Sequence, residues 1–141
     1  MARKSRHHRS HRRALRGWLL PIIVLIAVLA ILAWFNLGKP IAVTGATARA
    51  QSSALTCGET ATITGTLQTN GEPGTVTYQW TRSDGTKSAE LEQHFVKGTR
   101  QADVSLLWSF SGQGSVQATA TLDVLSPNAA SASTEFSYTC K

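Results

Sequence analysis

The chain has 141 residues, with 14 Lys and Arg against 8 Asp and Glu and a formal net charge of +6. That length holds one globular domain and little else. Seven of the basic residues (Arg3, Lys4, Arg6, Arg9, Arg12, Arg13 and Arg16) precede position 17 without an acid among them, whereas the chain from Lys39 on sets seven bases against eight acids. A basic nucleic-acid-binding domain is thereby excluded.

Residues 1–17 carry almost no apolar side chains, so they are expected to form a disordered cytoplasmic tail. Such a tail fixes topology and rests on the anionic lipid of the inner leaflet, at about 1 kcal/mol per basic residue. Two other uses are salt-dependent contact with nucleic-acid phosphates and metal binding by His7, His8 and His11. The His tract has neither Cys or carboxylate partners nor a scaffold.

Trp18–Phe35 then gives 18 residues without a charge, spanning about 27 Å as a helix against a hydrocarbon core of about 30 Å. Asn36 and Gly38 close this transmembrane segment, 18–38, and Trp18 and Trp34 fall where indoles favour the headgroup level. Pro21 is expected in the first helical turn, where its missing N–H costs little. The positive flank puts the N-terminus in the cytoplasm and the C-terminal part outside the cell membrane, a single-pass type II arrangement. The alternative is a secreted ligand or inhibitor, released by signal cleavage near Ala50 at Ala46-Thr47-Ala48 or Ala48-Arg49-Ala50. Those triplets lie far beyond Phe35 for a signal peptidase, and the apolar run is longer than a usual signal core. The pair Arg12-Arg13 reads as bulk positive charge rather than an export signal.

Residues 39–50 are expected to be a short linker with an opening strand near Ile41–Arg49, and 51–141 the extracellular domain. Thr and Ser number 17 and 12 from residue 41 on, a composition suited to strands and turns. Alternation with period two runs through Thr60–Thr69, Thr75–Arg82, Val104–Phe110, Val116–Val124 and Phe136–Cys140, with a weaker strand near Leu91–Val96. Turn signals separate them at 70–74, 83–85, 112–114 and 126–128. About seven short strands, each with one apolar face, predict an all-β, two-sheet antiparallel sandwich. They are too few to close a transmembrane barrel.

The stretch Val76-Thr77-Tyr78-Gln79-Trp80, followed by Ser83-Asp84-Gly85, resembles strand C of bacterial immunoglobulin-like domains. Thr56-Cys57-Gly58-Glu59 and the final Tyr138-Thr139-Cys140 are similar to Ig-like modules displayed on bacterial surfaces, and the likeness covers about residues 46–141. It implies an Ig-like sandwich with Trp80, beside Tyr78, as a core marker. Trp80 follows Cys57 by 23 positions and Cys140 is on the last strand, so the inter-sheet bridge of antibody domains is not carried over.

Two Cys in a segment outside the cytoplasm read as one disulfide, Cys57–Cys140. Parity from Ala61 and Phe136 predicts that both sulfurs point inward. A loop of about 80 residues closed this way is worth about 4–5 kcal/mol. Free thiols are the alternative; a metal site needs more ligands, and the spacing is not that of a redox pair.

No catalytic residue, metal site or cofactor is expected. His94 is the only His outside the tail, and it reads as a solvated strand residue, although an enzyme would have to use it. Gly112-Gln113-Gly114 reads as a hairpin turn. Arg82, Lys87, Glu90, Glu92, Lys97 and Arg100, with Asp84 and Asp103, crowd charge into one stretch. They are a candidate docking face for a protein or envelope partner, or else charges that keep an edge strand from pairing. The expected function is a membrane-anchored binding or structural domain, not an enzyme.

Overall fold

The computed structural model describes residues 11–141, which divide at Gly38/Lys39 into two compact units. In the first, α1 spans His11–Asn36. The helix begins seven residues before Trp18, so part of the basic stretch expected to be disordered is helical. The physical reason is local: Arg, Ala and Leu are good helix formers, and nothing between His11 and Trp18 stops a helix. Pro21 is consequently an interior residue rather than a first-turn one, and it leaves the carbonyl of Gly17 without its helical donor. Beyond that joint, Gly17–Phe35 is long and apolar enough to cross a membrane and none of it is buried. The same length and composition suit a signal sequence. The first ten residues, including most of the basic tail, His7 and His8, lie outside the described residues.

The second unit, Lys39–Lys141, contains eight strands: β1 (Val43–Ala50), β2 (Ala54–Leu55), β3 (Thr60–Thr69), β4 (Gly74–Arg82), β5 (Leu91–Phe95), β6 (Gln101–Ser109), β7 (Gly114–Ser126) and β8 (Ala130–Cys140). They form a three-stranded sheet, β1-β3-β6, and a five-stranded sheet, β2-β8-β7-β4-β5. Two expectations are corrected. The strands number eight, not about seven, and the sandwich is not wholly antiparallel, because β2 pairs parallel to β8 through Ala54↔Ser137 and Leu55↔Tyr138. A two-residue strand is too short to show a period, although Leu55 is buried on it.

Alternation sends one face of each sheet inward. The core takes Ala61, Ile63 and Leu67 from β3 and Val104, Leu106 and Trp108 from β6. Facing them are Val76, Tyr78 and Trp80 from β4, Ala118, Ala120, Leu122 and Val124 from β7, and Phe136 and Tyr138 from β8. Trp80 is wholly buried at the centre. Gly65 of β3 makes room for it: a Cβ there would sit 2.6 Å from Leu122 Cδ2 and 3.0 Å from Trp80 Cη2. Tyr78 is also buried, and desolvation raises its phenol above the usual tyrosine range.

Candidate functional site

The two poles of the sandwich are built differently. The chain enters at the pole where β1 begins and β3 ends (Val43↔Thr69). There, side-chain amides replace missing strand partners. Asn128 accepts from the Val43 N–H at 2.8 Å and donates to the Val43 carbonyl at 2.9 Å. Asn70 accepts from the Ala42 N–H at 3.2 Å and donates to the Pro40 carbonyl at 2.9 Å.

The far pole gathers the starts of β3 and β7 and the ends of β4, β6 and β8. Here Cys57 and Cys140 are joined, with Cα atoms 4.6 Å apart. The expected inward aim of both sulfurs holds only in part. Cys140 packs partly buried against the core, but Cys57 is exposed in the turn ahead of β3. Gly58, at φ +72°, breaks the alternation that parity assumed.

Beside the disulfide is an aromatic cluster. Phe110 stacks on Tyr138 at 5.2 Å between centroids and lies 4.7 Å from Trp108, with Phe136 edge-on to both Trp108 and Phe110. Tyr138 donates its hydroxyl to the Gly112 carbonyl at 2.8 Å, fixing the β6–β7 loop. Phe110 N–H donates to the Glu59 carbonyl at 3.2 Å.

Between that loop and the β4–β5 turn opens a cleft of about 430 Å³. Its walls are Ser83, Asp84, Trp108, Ser109, Phe110, Ser111, Val116, Gln117 and Ala118. The turn is rigid: Gly85 has φ +88°, a value open to glycine, and Asp84 Oδ1 accepts from the Thr86 N–H at 2.9 Å and the Thr86 hydroxyl at 2.6 Å. Those two bonds, the hydroxyl first, hold the Asp84 carboxyl below the usual carboxylate range. Ser83 ties the turn to β7, donating its N–H to the Thr119 carbonyl at 2.9 Å and accepting from the Thr119 N–H at 3.0 Å.

Arg82 does not lie on a charged surface. It sits at an inward position of β4, half-buried, with its guanidinium 5.8 Å from the Trp108 ring centre and Nη1 donating to Thr86 Oγ1 at 3.1 Å. Its Nε is buried without a hydrogen-bond partner. Lys87 and Glu90 are exposed along the segment from the far-pole turn to β5, and Glu92 is exposed on β5. Lys97 and Arg100 are exposed at the chain's point of entrance, where the Gly98 N–H donates to the Gly71 carbonyl and the Arg100 carbonyl accepts from Thr69. Arg82 and this second group are separated by the length of β4, about 26 Å. Asp103 belongs to the other sheet and accepts from Thr66 Oγ1 at 2.7 Å. The structure therefore does not bring the charged stretch onto one face.

His94 is on the outer face of β5. Its Nδ1 is 2.8 Å from Thr75 Oγ1, and its Nε2 is 4.0 Å from the Glu92 carboxylate, a contact that is an ion pair only with the imidazole protonated. The pair is open to solvent, with the His94 side chain 74% exposed. Among the described residues no three His, Cys, Asp or Glu gather as a metal site. The His11 side chain lies outside those described. Sequence reasoning had the cleft residues only as a turn and as strand faces. What joins them is the meeting of three strand ends, and the one local hint is the alternation Trp108-Ser109-Phe110, which carries aromatics to the end of β6.

No protein-family model matches this chain, and no curated protein does. Among solved structures the chain is similar to a CARDB domain from Pyrococcus furiosus, crystallised in complex with di-metal ions. The TM-score is 0.52 at 12% identity, covering 72% of this chain and 94% of that one. The likeness is one of fold.

Proposed function

We propose that the chain is a single-pass membrane protein with its N-terminus in the cytoplasm, holding an Ig-like sandwich outside for a binding or structural role. The observation that carries this reading is the Cys57–Cys140 bridge in the same chain as an uncovered apolar helix. A structural disulfide persists in an oxidising compartment, and a helix apolar on every side needs lipid. The strand order supports the Ig-like plan: with β1-β3-β6 facing β8-β7-β4-β5, the β4–β5 and β7–β8 hairpins stay within one sheet and the chain crosses between sheets at β3–β4, β5–β6 and β6–β7. The basic N-terminal residues would rest on anionic lipid of the inner leaflet, with no nucleic acid involved. The domain would act through a protein or envelope partner rather than by catalysis, with His94 as a solvated side chain.

The secreted alternative must cut elsewhere than near Ala50. β1 pairs with β3 from Val43↔Thr69 to Ala50↔Ile63, so cleavage at Ala48 or Ala50 would strip a strand from the three-stranded sheet. Protease added to intact cells should digest the sandwich, and thiol labelling should find no free sulfur. Protection of the sandwich together with two labelled thiols would overturn the topology. N-terminal sequencing separates the retained helix from a cleaved one.

A further inference from the structure

We infer that the entrance pole of the sandwich is a lipid-contact surface, which docks on a bilayer face carrying anionic headgroups. The inference rests on the reading of α1 as a retained membrane anchor, because the anchor supplies the bilayer.

Charge is divided unevenly over the sandwich. The loops of this pole (39–42, 70–73, 96–100 and 127–129) hold three of the seven Lys and Arg that follow Gly38, but one of the eight acids. Lys39, Lys97 and Arg100 are all exposed, whereas the acid, Glu72, is half-buried. Among the described residues none of these three bases has a carboxylate at ion-pair distance. The rest of the domain sets four bases against seven acids, so a domain that is slightly acidic as a whole is basic at one end. A layer of phosphate-bearing headgroups attracts that end and repels the remainder.

An apolar tip accompanies the bases. Val96 is 72% exposed and directly precedes Lys97. The turn that carries them is pinned: the Gly98 N–H donates to the Gly71 carbonyl at 2.8 Å, the Thr99 N–H to the Val96 carbonyl at 3.1 Å, and Thr69 Oγ1 to the Thr99 carbonyl at 3.1 Å. Gly98, at φ +90°, allows the reversal. A valine beside ammonium and guanidinium groups suits the boundary between headgroups and acyl chains, where apolar carbon is buried and cations stay level with the phosphates.

The tether is short. Asn70 holds Pro40 and Ala42 to the sandwich, so residues 36–39 alone separate the apolar run from the first clipped residue. From Phe35 to Pro40 the extended chain reaches about 17 Å at most, and a charged surface acts over about 10 Å. With α1 in a bilayer, the pole therefore meets headgroups at high effective concentration, and a contact weak in itself is populated.

The test uses the full chain in lipid nanodiscs, one set zwitterionic and one with about a third phosphatidylglycerol, each with a trace of lipid bearing a nitroxide on its headgroup. Co-elution with the discs is read first, then the paramagnetic broadening of backbone amides by NMR. Broadening at Val96–Gly98 should be about threefold or more stronger in the anionic discs, while the far-pole amides of Asp84–Thr86 stay sharp in both. The double variant Lys97→Glu with Arg100→Glu, at exposed positions, should bring the anionic discs down to the zwitterionic level, and so should about 0.5 M salt on the parent chain. Broadening that ignores lipid charge, survives the double variant and salt, or is equal at both poles overturns the inference. A chain that does not co-elute overturns anchor and contact together, whereas co-elution without charge-dependent broadening overturns the contact alone. A disc has two equal faces, so a sandwich found on the cytoplasmic side of cells would leave the lipid contact standing.

Discussion

The two poles of one sandwich solve the same problem with different chemistry. Where the chain enters, neutral amides of Asn70 and Asn128 clip the backbone of residues 40–43, and nothing covalent is involved. At the far pole a disulfide, four aromatic rings and a half-buried guanidinium do the holding. The difference lies in what each pole leaves between its loops. Amide clips replace absent strand partners, whereas the far pole holds its loops around an open cleft.

The largest effect should come from the crosslink. Replacing both Cys57 and Cys140 by Ser ought to cost about 3–5 kcal/mol, since the closed loop is nearly the whole domain. In a unit of this size that lowers the melting midpoint by about 12 °C or more. A scan with and without reductant should show the same drop for the parent and none for the variant. A fall of under about 4 °C would assign the pole's rigidity to aromatic packing instead.

Packing is tested next by Phe110→Ala. Phe110 is half-buried and touches Trp108, Phe136 and Tyr138, so its loss should cost about 2–3 kcal/mol by chemical denaturation. The amide pole should give less. Asn128→Ala removes two hydrogen bonds to Val43 and should cost about 1–2 kcal/mol. Hydrogen exchange makes the location visible: the Val43 amide should lose protection while amides of β7 near Ala118 keep theirs. Equal loss at both ends would mean that the poles are not independent.

How much of this was written in the sequence varies with range. β3 spans Thr60–Thr69 as alternation predicts, because a half-buried strand must repeat every two residues. The start of α1 was not legible, since Arg12–Arg16 favours a helix as readily as it favours solvent. Residues beyond a strand end escape parity altogether, as Cys57 does on the far side of Gly58 from β3. Arg82 escaped for another reason: a charge in a charged stretch reads as surface, although even-numbered positions of β4, Val76, Tyr78 and Trp80, point inward and Arg82 continues that row. The cleft was the least legible feature because its walls come from residues 83–84, 108–111 and 116–118, which no local pattern unites.

The smallest effect concerns charge, which the far pole has and the amide clips lack. Asp84 is held below its usual value of 3.8, first by the Thr86 hydroxyl and then by the Thr86 N–H. A carboxyl depressed in the folded state stabilises that state above its unfolded pKa, and the contribution is lost as pH falls through the folded value. Thr86→Ala keeps the backbone bond but deletes the hydroxyl, so the Asp84 carboxyl should titrate closer to 3.8 without reaching it. Carboxyl-carbon NMR across the acid range measures this directly, and an unmoved titration would mean that the hydroxyl is not what holds the charge. Acid sensitivity should shrink in parallel in the region below about pH 4, while Asn128→Ala, which touches no titrating group, should leave the pH profile's shape unchanged and lower it uniformly. If both variants shifted the profile alike, the two poles would share one electrostatic environment.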